Sequence, residues 1–126
     1  MNLTVADKAG DTNLFNSAAS STTNRSIPMV AAIGDQSGTW VPGWNISAAL
    51  PTTGGGSGYI GGETTTGSGT AAGFSNQVLD GQTAKTVYVG HEAEETNINM
   101  TYDVATAVDQ AAGVYQNVLT YTVSLN

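Results

Sequence analysis

Cysteine is absent from this 126-residue chain. Disulfides, thiolate metal sites and cysteine nucleophiles are therefore excluded. Charge is scarce as well: charged residues make up 10%, against roughly 25% in ordinary soluble domains. The bases are Lys8, Arg25 and Lys85, and with ten acids the net charge is −7. Nucleic-acid binding needs clustered Lys and Arg to displace counterions, and an anionic membrane surface asks for the same. Three scattered bases supply neither, so no nucleic-acid partner is expected. No apolar run approaches the roughly 18 residues of a membrane span, so no membrane insertion is expected. Residues 1–15 have neither the basic start nor the apolar stretch of a secretory signal. Either a leader was removed, or the route needs none, as for a virion protein.

Histidine occurs once, as His91. A nucleophile–base–orienter set has no other imidazole to use, and no GxSxG turn accompanies the many serines. The glycine-rich stretch lacks the lysine of a phosphate-binding loop and does not lead into a helical pattern. The expectation is that the chain is not an enzyme. Calcium is the one cofactor the sequence admits. Its candidate ligands are the neighbouring carboxylates Glu92 and Glu94, with Asp103.

What is present is Gly, Ser, Thr and Asn in place of charge, with 40% hydrophobic residues for a core. Such a surface stays wet without long ionic side chains, which suits cell surfaces, secreted fibres and virions. The expected location is extracellular or cell-surface, with the virion as the alternative. Four Asn-x-Ser/Thr sequons, at Asn2, Asn24, Asn45 and Asn99, are candidate glycosylation sites. Asn45 and Asn99 fall on the polar faces of their predicted strands.

Alternation with period two dominates the chain. In Thr96–Val104 the residues Ile98, Met100, Tyr102 and Val104 share one face. Toward the end Tyr115, Leu119, Tyr121, Val123 and Leu125 share one parity. Trp44, Ile46, Ala48 and Leu50 line one side of another strand, and Lys85–Val89 forms a further β-rich run. Asn2–Ala6, the apolar run Ser26–Ile33 and Phe74–Leu79 complete the set. Residues 16–25 and 51–73 read as loops; the second holds more than half of the glycines, with a short edge strand at Tyr59–Ile60. Residues 104–113 are a helical turn or a loop.

The prediction is an all-β fold: a single antiparallel β-sandwich over residues 1–126, with about seven or eight strands. Trp44, Tyr102 and Tyr121 are its expected core anchors, joined by Ile98, Met100, Leu119 and Val123. Residues 1–25 are expected to serve as an N-terminal donor strand, carried by Leu3, Thr4 and Val5, followed by a flexible connector.

Ile33-Gly34-Asp35 before Gly43-Trp44-Asn45-Ile46-Ser47, and the closing Ala112-Gly113-Val114-Tyr115 before Leu119–Val123, carry a resemblance. Over about residues 26–126 the chain resembles the WxL-like surface domains of bacteria. The family's two W-x-L positions fall on Trp44-Asn45-Ile46 and Tyr121-Thr122-Val123, so Tyr stands for the second Trp, and Ile and Val stand for Leu. The resemblance implies an immunoglobulin-like sandwich displayed on a cell surface, with attachment to peptidoglycan.

Three functions fit these observations. The first is a structural subunit of a surface fibre, pilus or layer, partnered by copies of itself through β-strand addition. The alternatives are a module binding cell-wall polysaccharide or peptidoglycan, and a virion decoration or fibre protein.

Overall fold

A computed structural model of the chain describes residues 1–20, 24–51, 58–61, 72–90 and 95–125. Among them it is all-β: ten short strands and one 3-10 turn at Ala72–Phe74. The strands are β1 (Asn2–Asp7), β2 (Leu14–Phe15), β3 (Ser26–Ile27), β4 (Gly34–Gln36), β5 (Thr39–Val41), β6 (Gly43–Ala49), β7 (Tyr59–Ile60), β8 (Lys85–Val89), β9 (Asn99–Ala105) and β10 (Leu119–Ser124).

Four strands form one antiparallel sheet in the order β10-β1-β8-β7. The first strand therefore lies in its middle. It pairs with β10 from Asn2↔Ser124 to Asp7↔Leu119 and with β8 on its other side, with an irregularity at Leu3/Thr4. This corrects the expectation of a donor strand. Leu3, Thr4 and Val5 satisfy their backbone groups within their own chain, and Val5 is fully buried. Unpaired backbone in a core is costly, so such a strand is held on both sides rather than offered to a neighbour. Asp7 ends it: its Oδ1 accepts from the backbone N–H groups of Ala9 and Gly10.

A second pair, β6 with β9, runs from Gly43↔Ala105 to Ala49↔Asn99. The far side of β6 is bridged by Met29 and Gln77. Trp44, Ile46 and Ala48 turn inward from β6, as their shared parity requires. They join Val5, Ile60, Val87 and Tyr88 of the four-stranded sheet in one core, with Ile27, Met29, Phe74 and Leu79. Trp44 is 2% exposed and its indole N–H donates to the Thr12 carbonyl at 2.9 Å. The outer face of β6 is covered too, by the chain at Val30–Ile33. A Cβ on Gly43 would stand 2.8 Å from Ile33 Cγ2 and 2.9 Å from Val30 Cβ. Only glycine lets that crossing come so close.

Two small antiparallel pairs, β2–β3 and β4–β5, complete the set; β2 lies in the expected N-terminal connector and β3 in the expected apolar strand. The β4–β5 hairpin turns at Ser37 and Gly38, both with positive φ (55° and 88°), the signature of a tight two-residue turn matched to strand twist. Asp35 Oδ1 accepts from the Gly38 N–H at 2.8 Å. The expected apolar strand Ser26–Ile33 is cut short because Pro28 has no N–H for a ladder. Phe74–Leu79 does not form a strand; it contributes one bridge, at Gln77.

Residues 107–116 are latched to the segment around Asn24. The Gln110 side chain donates to the Asn24 carbonyl and to the Tyr115 hydroxyl, and that hydroxyl donates to the Ala111 carbonyl. Asn16, 1% exposed, donates to the Ala112 carbonyl, and Gly113 passes against it with φ 140°.

Candidate assembly edge

Edge strands display a row of unpaired N–H and C=O groups. Two of the longer described strands do so here. Among the described residues β10 pairs only with β1, and β9 pairs only with β6. Natural edges are usually blunted with lysine, proline or a bulge. Strand β10, Leu-Thr-Tyr-Thr-Val-Ser, carries no charge and no proline, and its six-residue register against β1 runs without a shift. Strand β9 carries one charge, Asp103.

The side chains on these edges are apolar and uncovered. Tyr121 is 38% exposed, Val123 64% and Leu125 93%; on β9, Tyr102 is 49% and Val104 50% exposed. The hydroxyls of Tyr102 and Tyr121 meet in a hydrogen bond that ties β9 to β10. Burial raises the pKa of Tyr121 well above its ordinary value near 10. The hydrogen bond from Tyr102, and then its charge, add to the rise. Tyr102 also lines a groove of about 310 Å³, with Leu14, Trp44, Val104, Tyr115, Asn117 and Leu119 along it. Side chains of β9 and β10 thus share a largely apolar slot that the core tryptophan also lines.

Of the expected anchors, Trp44 is in the core, while Tyr102 and Tyr121 are exposed at this edge. Val123 is exposed as well, and Ile98, Met100 and Leu119 are half-buried against the core. Alternation separated the faces of β9 and β10 correctly, yet no second layer covers the outer half of the apolar face.

The sequon asparagines part company. Asn99 opens β9 and is exposed. Asn24 is exposed and donates to Asp109 Oδ2 at 2.5 Å. Asn2 is half-buried, with Oδ1 enclosed and unpartnered. Asn45 is 1% exposed, its amide held by the Val30 and Ala31 carbonyls. A glycan on Asn45 is sterically incompatible with this fold, because the chain crossing at Val30–Ile33 covers the face that alternation marked as polar. Glu92 and Glu94, the calcium candidates, lie outside the described residues, as does His91. Asp103 is exposed on β9, and among the described residues no three His, Asp or Glu side chains converge to hold a metal. No described helix is long and apolar enough to cross a membrane.

No family model, curated protein or solved structure matches this chain.

The residues that sequence reasoning did not assign to this candidate edge are Val104, Tyr115 and the exposed row of β10. For β10 the signal is the lack of any lysine, proline or glycine from Val118 to Leu125, together with alternation that continues to the end of the strand.

Proposed function

We propose that this chain is a non-catalytic structural subunit that assembles with copies of itself by β-strand addition, as a component of a surface fibre, pilus or layer. One observation carries the reading: β10 is an unguarded six-residue edge, exposed on both faces and rich in Tyr, Val and Thr. Strand addition uses such an edge, with the backbone giving affinity and alternate side chains giving specificity. The occupant is a second copy. β9 and β10 are different edges, so β10 of one copy against β9 of the next is a head-to-tail contact, and such contacts propagate. The strand offered to the neighbour is thus the last rather than the first. An immunoglobulin-like sandwich, the WxL-like resemblance and an extracellular location belong to this same reading. They are supported by the low charge and by the β6–β9 and four-stranded sheets sharing one core.

Sedimentation velocity across a concentration series, with negative-stain electron microscopy of the same samples, tests it. The expected result is oligomers or filaments that grow with concentration. A monodisperse monomer at every concentration overturns it.

A further inference from the structure

On the face of β6 and β9 opposite the core lies a cleft of about 590 Å³. That size suits a small organic molecule and is far larger than a bare ion requires. Its polar lining is Gln36, Asn45, Ser75, Asn76, Gln77 and Asp103. The lining holds no basic side chain, and Asp103 has no ion-pair partner among the described residues, so an inorganic or organic anion has nothing to meet.

The orientation of the amides narrows the ligand further. Asn45 Nδ2 donates to the carbonyls of Val30 at 3.2 Å and Ala31 at 2.9 Å. Two carbonyl partners fix which end of that amide is nitrogen. Gln36 Nε2 donates to the Ile33 carbonyl at 2.7 Å and Gln77 Nε2 to the Ser75 carbonyl at 2.9 Å. The backbone N–H of Asn76 is taken by Ser47 Oγ. Amide nitrogens are thus spent on the protein's own carbonyls, and the oxygen ends are left over. Asn45 makes the point most sharply: it is 1% exposed and its Oδ1 has no hydrogen-bond partner. A buried acceptor left unmatched costs free energy. Its direct cross-strand neighbour is Asp103, so the carboxylate stands on the same face.

We infer that this cleft binds a small organic cation, an ammonium or guanidinium group whose several N–H donors match a ring of oxygen acceptors around one carboxylate. The net charge of −7 favours approach of such a ligand. The inference does not rest on strand addition at β10, although β9, which carries Asp103, belongs to both readings.

Backbone amide NMR titration with arginine methyl ester tests it, alongside glucose, inorganic phosphate and calcium chloride. Shifts confined to the surroundings of Asn45, Asn76, Gln77 and Asp103 are expected from the arginine ester alone. Asp103→Asn removes the charge at an exposed position and is expected to keep the fold, seen as an unchanged spectrum elsewhere, while weakening binding about tenfold. A blocked Gly-Arg-Gly peptide, titrated in parallel, separates a free cation from one borne by a chain; tighter binding of either supports the site and names its source. Absent shifts, equal binding by Asp103→Asn, or preference for glucose, phosphate or calcium overturns the inference.

Discussion

Strands β8 and β10 are built from nearly the same residues, Lys-Thr-Val-Tyr-Val against Leu-Thr-Tyr-Thr-Val-Ser, and they meet opposite fates. β8 is flanked by β1 and β7, and its Val87 and Tyr88, which point to opposite faces, are both fully buried. The Tyr88 hydroxyl accepts from the Gly58 N–H at 2.9 Å, and a Cβ on Gly58 would sit 2.3 Å from that oxygen, so glycine is required there. β10 has one neighbour and shows Thr120 through Ser124 to solvent. Composition makes both strands; position in the sheet decides which one is core and which one is available. Burial at β8 stabilises the fold, and exposure at β10 leaves backbone groups and apolar area for another chain.

The comparison breaks most visibly if β1, which links the two strands, is removed. Deleting residues 1–9 takes out the central strand, so we expect loss of the β-sheet circular dichroism signal and aggregation. A folded, monomeric truncation would mean that β1 is dispensable and can be donated. Next in size, Trp44→Ala removes the core side chain that lines the slot and is expected to cost about 3–5 kcal/mol in urea unfolding, enough to unfold a domain of ordinary stability. A midpoint near that of the parent would place Trp44 outside the core. The contrast itself is read by a pair of equal truncations. Val87→Ala should cost about 2 kcal/mol, and Val123→Ala no more than about 0.5 kcal/mol. Similar losses at the two sites would erase the distinction between the strands.

A smaller effect concerns alkaline pH. Burial and the Tyr102 hydrogen bond raise the pKa of Tyr121 in the folded chain. The folded state therefore holds that proton more tightly than the unfolded state does. This stabilisation is complete below the ordinary tyrosine value of about 10 and is lost as pH climbs above it. Urea midpoints measured from pH 8 to pH 11 should fall more steeply for the parent than for Tyr121→Phe. Parallel slopes would show that the Tyr102–Tyr121 pair is not formed in solution.

Much of this was legible in the residues. The all-β class follows from period-two alternation, and β6 with Trp44, Ile46 and Ala48 inward follows from parity. β8, β9 and the short β7 also lie close to where their β-branched and aromatic residues put them. Three features were hidden for physical reasons. Asn45 looks like a solvent-facing residue, since alternation sees only the two faces of a strand and not a loop folded over one of them. The clue was Gly43, a strand glycine, which often marks a close backbone approach. Tyr102, Tyr121 and Val123 look like core, because an apolar row reads the same whether or not a second layer covers it. Leu3 and Val5 look like either a donated or a self-paired strand, because local sequence carries no information on which strand lies alongside. The acceptor character of the cleft was invisible, as it depends on which way the side-chain amides of Gln36, Asn45 and Gln77 turn.

The central claim is that β10 is an assembly edge rather than a fortuitously bare strand, and Val123→Lys addresses it most directly. Residue 123 is 64% exposed, so a lysine there is expected to leave the thermal midpoint within a degree or two of the parent, as for other exposed substitutions. A charge on an open edge opposes strand addition. Sedimentation velocity of parent and variant at matched concentrations should show the parent associating and Val123→Lys remaining a folded monomer. A variant that assembles as the parent does would contradict the account.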